Sequence, residues 1–390
     1  MRRVGLVAAL VAVLVAAWSR PARTHETVTT TVLFDREIVR ILNSHCVMCH
    51  VEGGPSFPLA TYEQVWVDKR KISAAVIARR MPPWAAFSGY GRFANENVIT
   101  LRESQFIVSW MEGLGPRNAG KVFTNTAVPG TPAPPPVRAH IDVNVWQAGP
   151  PDLVRDLDPI MVEPKRPDDV VRTLVDVGLT SEKRVRAVEY MPGDRRVVRA
   201  AFFTVQETGQ WIGSWTPWYG FVKLPSASAY RLPAGAHIAA EIHYRHTDRR
   251  VVDRGRLGLF FFDARTAAQP VSDVVIEAAA TALPNTESTR VRAETVLGAD
   301  TDVIAMRSEM LAGVKSVEVA ARRPDGGTDV LLFAKDIPLD WPTPYIFARP
   351  VTLRRGTTLS ATAYYANATA SAAPATIRVT VSAIVRPQRR

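Results

Sequence analysis

The chain has 390 residues, 47% of them hydrophobic, which is enough for two or three domains, each with its own core. Its net charge of +11 does not mark a nucleic-acid binder, because only 8 of the 48 basic residues are lysine and the arginines are scattered among acids. Two cysteines exclude a disulfide scaffold, so the bulk of the chain must be held by packing.

The first element is MRRVGLVAALVAVLVAAWSRPAR, two arginines followed by an apolar run from Val4 to Ala17. That run is short for a bilayer span and has the form of a secretory h-region. Residues 1–22 are expected to be a signal peptide or, since Trp18 and Arg20 blur the cleavage site, a retained anchor. The rest of the chain is then exported, periplasmic or otherwise extracytoplasmic, with possible membrane association through this segment.

Residues 30–117 carry helical periods. Phe34-Asp35 opens a first helix with Ile38, Ile41 and Leu42 on one face, and Gly53-Gly54-Pro55 breaks it. Thr61-x-x-Gln64 and Thr100-x-x-Glu103 are capping-box starts for two more, the last ended by Gly113, Gly115 and Pro116. The first helix runs into Cys46-Val47-Met48-Cys49-His50. Two thiols three positions apart, with an imidazole next, are what covalent haem attachment requires. Each thiol adds to one vinyl group of the porphyrin, and His50 reaches the iron from the same side. A structural zinc site would need two further Cys or His at close spacing, and a thioredoxin-like pair would need a βαβ setting. The flanks offer neither. One haem c is therefore expected, in a small all-α c-type cytochrome.

The opposite face of the iron needs a second ligand. Met48 lies inside the attachment loop, and Met111 is placed to pack inward. Met81 precedes Pro82-Pro83-Trp84, so its helix must stop and the backbone beyond is stiff, as a fixed axial thioether requires. The plainer reading of Met81 is a core filler at a helix end. With both axial positions filled, the haem suits one-electron transfer to and from a redox partner protein. His45 reads as a surface or supporting residue.

Residues 118–138 form a Pro-rich linker containing Pro134-Pro135-Pro136. Beyond it, alternating β-branched runs replace the helical period: 196–205, 237–244, 257–262, 316–321, 330–333, 357–364 and 377–384. The fold class expected is multidomain, a small all-α cytochrome (30–117) followed by two all-β, jelly-roll-like sandwiches over 139–278 and 279–390.

The block His45–Trp84 resembles the cytochrome module of certain bacterial multidomain proteins. There it precedes a domain pair similar to the copper type II, ascorbate-dependent monooxygenases, the class of peptidylglycine α-hydroxylating monooxygenase. Trp146-Gln147-Ala148-Gly149-Pro150-Pro151, Arg186–Tyr190 with Pro192-Gly193, and Glu241-Ile242-His243-Tyr244 resemble the first monooxygenase sandwich. Asp325-Gly326, Trp341 and Arg355-Gly356-Thr357 extend the likeness into the second. The resemblance implies two copper sites, each with about three imidazole or thioether ligands. Where it places a His-His pair, this chain reads Val197-Val198-Arg199-Ala200, so only His243 remains, a vestigial copper position. The family's His-x-His should fall within Ala305-Met306-Arg307-Ser308-Glu309-Met310-Leu311, where no histidine occurs, and none follows His246. His237 and His243 share strand parity but stand about 20 Å apart along an extended strand, and His243 could meet His246 only if the strand turns after Tyr244.

Copper is accordingly not expected. The reading is an exported haem electron carrier whose degenerate double sandwich serves for docking or binding, with no catalytic residue assigned. The alternative is a copper- and haem-dependent hydroxylating monooxygenase acting on a small substrate.

Overall fold

Extended strands are the commonest regular structure among the described residues. The computed structural model describes residues 30–118, 145–164, 169–225, 227–245, 247–263, 265–282, 289–309, 313–338, 341–366 and 374–386. The expected leader, linker residues 119–138, His140, His246 and Met310 lie outside the described residues.

A π-helical turn, Phe34–Ile38, leads into α1 (Val39–His45); α2 (Tyr62–Ile77) and α3 (Leu101–Glu112) follow. Both capping boxes form. The Thr61 hydroxyl accepts from the Gln64 N–H and the Thr100 hydroxyl from the Glu103 N–H, with the Gln64 and Glu103 side chains reaching back. Val32, Phe34, Ile38, Leu42, Val65, Ile107 and Trp110 pack together between the helices.

Ten strands then come in chain order: β1 (Leu153–Asp156), β2 (Ile160–Val162), β3 (Asp169–Asp176), β4 (Lys183–Met191), β5 (Val198–Val205), β6 (Trp211–Trp215), β7 (Ser228–Leu232), β8 (His237–Tyr244), β9 (Val251–Asp253) and β10 (Arg256–Phe261). Eight more follow: β11 (Gln269–Ala282), β12 (Thr289–Val296), β13 (Thr301–Ser308), β14 (Val314–Arg322), β15 (Thr328–Lys335), β16 (Tyr345–Leu353), β17 (Thr358–Tyr365) and β18 (Pro374–Val385). One eight-stranded sheet runs β1-β10-β4-β7-β11-β18-β13-β16. The sheet β3-β8-β5-β6 shares a core with its first half, and β12-β17-β14-β15 with its second. The two halves join where β7 and β11 pair in parallel, Ser228 opposite Gln269 and Ala229 opposite Pro270. β11 continues through residues 278 and 279, where the sequence reading divides the two sandwiches.

The expected fold class, a small all-α cytochrome ahead of two sandwiches, is overturned. Strand predominates among the described residues, the three α-helices are short, and no self-contained all-α domain is present. The physical reason lies between α2 and α3. Trp84, Ala85, Ala86 and Phe93 are buried not among the helices but in the core of the second sandwich. Ala86 bridges to Ala334 of β15 and Phe93 to Phe347 of β16, so this stretch covers the outer edges of both facing sheets. Uncovered, those edges would present unpaired N–H and C=O groups. No helix among the described residues is long and apolar enough to cross a membrane.

Candidate functional site

α1 ends where the cysteine motif begins. The Cys46 and Val47 N–H groups both donate to the Leu42 carbonyl, at 2.8 and 3.0 Å, and those of Cys49 and His50 donate to the Cys46 carbonyl at 3.0 and 2.9 Å. This tight turn tucks Val47 into the helical core and leaves Cys46, Met48, Cys49 and His50 partly exposed. Gly54 closes the loop, since a Cβ there would stand 2.5 Å from the Cys49 carbonyl oxygen. Both cysteines are free thiols. Burial, the Cys49 thiol and the Glu103 carboxylate push Cys46 up to about 12. Burial likewise pushes Cys49 up to about 12, against the opposing pull of the Arg195 guanidinium. At neutral pH both therefore keep their protons.

His50 is oriented by one bond. Its Nδ1 lies 2.9 Å from the Phe57 carbonyl oxygen, and the two rings meet edge to face at 4.9 Å. A carbonyl only accepts, so Nδ1 carries the proton and Nε2 holds the lone pair. Burial lowers the His50 pKa, partly offset by the bond to Phe57, and this favours the neutral ring. Neutral imidazole with its outer nitrogen bonded to a carbonyl is the usual form of a metal-binding histidine. His45, by contrast, is already spent: Nδ1 lies 3.0 Å from Asn97 Oδ1 and Nε2 3.3 Å from Glu103 Oε1.

Met81 stands on a separate loop. α2 ends at Ile77, Arg79 takes a left-handed φ of 52°, and the Arg80 and Met81 N–H groups turn back to the Ala75 carbonyl. The Met81–Pro82 peptide is cis. The thioether side chain is 39% exposed, so the plainer reading of a core filler does not describe it. Met111 packs partly buried against the helical core.

The vestigial copper position lies elsewhere, on β8. Its buried residues alternate strictly, sending Ile238, Ala240, Ile242 and Tyr244 inward and His237, Glu241 and His243 to the other face. His243 Nε2 lies 2.9 Å from Glu241 Oε1, which also accepts from Arg307 of β13 at 2.7 Å. Arg172 of β3 reaches Glu241 Oε2 at 3.0 Å. The Arg307 guanidinium lies 4.0 Å above the Phe202 ring, which meets the His243 ring edge to face at 5.8 Å. Burial raises the Glu241 pKa, but the His243 bond and the two guanidiniums outweigh it and bring the carboxyl down to about 2. Arg307 thus lies within the stretch where the resemblance put His-x-His, and it is bound to the sandwich holding His243.

The other copper-site positions do not converge. Val197, Val198 and Ala200 are buried, and the Arg199 guanidinium lies 5.4 Å from the Trp341 ring. His237 pairs with Glu207 at 2.9 Å, six residues along β8 from His243. Among the described residues no group of three or more His, Cys, Asp or Glu could hold a metal ion. Asn97 and the Glu241–Arg307 pairing have no signal in the sequence, because each works through a partner distant in the chain. Glu103 was legible as a cap, but not as a partner of His45.

No family model and no curated protein matches this chain. Among solved structures it has a partial likeness to the major capsid protein P2 from bacteriophage PM2, at 9% identity over 60% of this chain and 99% of that one, with a TM-score of 0.23. PNGF-II is similar at 10% identity over 61% of this chain and 66% of its own, with a TM-score of 0.26. The PBCV-1 virus capsid gives 8% identity, 60% and 94% coverage and a TM-score of 0.22. At such TM-scores these likenesses carry no argument.

Proposed function

We propose that this protein is an exported haem protein that passes single electrons to and from a redox partner. Cys46 and Cys49 tether the haem, and His50 and Met81 cap the iron on its two faces. The observation that carries this reading is the turn itself. Two free thiols and a neutral imidazole share it, and the Phe57 carbonyl holds His50 Nδ1 so that Nε2 keeps its lone pair. The donor set fits the group: thiols for vinyl carbons, one imidazole and one thioether for iron. Bound haem would supply reversible one-electron chemistry, with the thioether raising the reduction potential relative to a second imidazole. The chain's own part is to hold His50 in one tautomer and to present Met81 from a stiff loop.

In this reading the double sandwich is a docking or binding module rather than a copper centre. Support comes from the junction, where Arg307 and Arg172 place two guanidiniums around the carboxylate that His243 contacts. A metal cation brought to His243 would face both.

The test is metal content and spectrum of the purified protein. One iron per chain, retained through denaturation and lost in a Cys46→Ala/Cys49→Ala variant, is the expected result. Stoichiometric copper with ascorbate-driven oxygen uptake would instead establish the hydroxylase.

A further inference from the structure

Met81 begins a segment that does not belong to the helices. Pro82 and Pro83 fix two successive φ angles, and the Trp84 N–H turns back to the Pro82 carbonyl at 2.8 Å. Trp84 then enters the second sandwich, its ring centroid 5.4 Å from Tyr345 and 5.9 Å from Phe93. Next to it the backbone joins β15: the Lys335 N–H donates to the Ala85 carbonyl at 3.1 Å and the Phe87 N–H to the Phe333 carbonyl at 2.8 Å. A few residues on it joins β16, with Ala94 donating to Ile346 at 2.6 Å and Ala348 to Arg92 at 2.9 Å. Gly91 allows the crossing, since a Cβ there would lie 2.5 Å from the Leu331 carbonyl oxygen.

Asn95 fastens the far end. Only 2% exposed, it donates from Nδ2 to the Pro344 carbonyl at 2.6 Å and accepts the Ile346 N–H at 3.1 Å. Its own carbonyl accepts the indole N–H of Trp218 in the first sandwich at 3.1 Å. Asn97 then returns to His45, the residue before Cys46. One continuous segment therefore leaves the methionine, is pinned to both sandwiches, and comes back to the thiol turn.

We infer that the double sandwich is the frame that positions the axial methionine, with Trp84 as the positioning residue next to it and Asn95 as the distant anchor. This rests on the haem reading above. A short Pro-Pro spacer between Met81 and a buried indole transmits position, because it has few conformations in which to lose it. His50 is oriented by Phe57 of its own loop, but Met81 depends on a socket built by β15 and β16. The β-rich portion thereby acquires a task in the redox chemistry itself, apart from any docking.

The experiment uses full-length haem-loaded protein and compares wild type, Trp84→Ala, Trp84→Phe and Asn95→Ala. Covalent haem content and thermal unfolding are measured beside the methionine-to-iron charge-transfer absorption and the midpoint potential. Trp84→Ala should retain haem yet lose most of that absorption, and its reduction equilibrium should shift at least tenfold toward the oxidised form, about 59 mV for one electron. Trp84→Phe should restore both, and Asn95→Ala should fall between. Should Trp84→Ala fail to fold, Asn95→Ala decides, because it leaves every core aromatic in place. Wild-type absorption and potential in a folded Asn95→Ala or Trp84→Ala protein would overturn the inference. Absence of covalent haem from wild type, or of the methionine signature from a haem-loaded wild type, would strike the underlying haem reading instead.

Discussion

The turn at Cys46–His50 and the junction at Glu241–Arg307 both gather groups able to bind metal or charge, but they are finished in opposite ways. At the turn, His50 is bonded on the side that orients it, and its two neighbouring thiols stay protonated and unlinked. At the junction, both oxygens of Glu241 take guanidinium hydrogens and one also meets His243, so the polar groups satisfy one another. The first arrangement leaves donors for a ligand, whereas the second uses them to weld β8 to β13. What surrounds a donor set, more than its membership, decides whether it serves chemistry or the fold.

Breaking the junction should have the larger effect on stability. Glu241→Gln leaves the half-buried Arg307 beside a neutral amide and should cost about 2 kcal/mol in denaturant unfolding. Replacing both partners by leucine should recover most of that loss, and a single variant within about 0.5 kcal/mol of wild type would show that the junction is not a weld.

The same pair sets a pH response. The folded Glu241 carboxyl lies at about 2, below its ordinary value of 4.5, so its contribution is complete above 4.5 and drains away as pH falls toward 2. Acid titration of unfolding should show this loss in wild type, and Glu241→Gln should flatten that window.

On the other side of the comparison, His50→Gln in haem-free protein removes one hydrogen bond to Phe57 and should cost only about 1 kcal/mol in the same unfolding assay. Thr100→Ala, which deletes a cap of α3, should cost a similar ~1 kcal/mol, read by chemical denaturation. Smallest of all, Met81→Leu in haem-free protein should stay within ~0.5 kcal/mol, because the side chain is substantially exposed. A large penalty at His50 or Met81 would mean that these residues serve packing.

Local signals were legible where the physics is local. The three-residue spacings at Thr61–Gln64 and Thr100–Glu103 became capping boxes, and the alternation of 237–244 became β8 with the same limits. The run beginning at 196 starts as a strand only at Val198, because the Asp194 carboxylate takes the Arg196 N–H and holds it in a turn. β6 escaped notice since all five of its residues are buried, which erases the period of two. In the stretch 82–97, Pro82, Pro83, Gly89 and Gly91 interrupt every period. Its partners, Ala334 and Phe347, are remote in the chain, and a helical reading of its surroundings followed. Likewise the motif at Cys46 was legible at once, while Glu241 and Arg307 gain meaning only from each other.

The fourteen residues of β11 have one more implication. This strand pairs with β7 at Gln269 and Pro270 and with β18 over Val271–Ala278 and again at Thr281 and Ala282, so one strand ties the two β-rich halves together. Calorimetry should register them melting together. A fragment cut near residue 278 would keep the opening of β11 but expose a ragged, half-zipped sheet margin where β18 belongs, an invitation to precipitate.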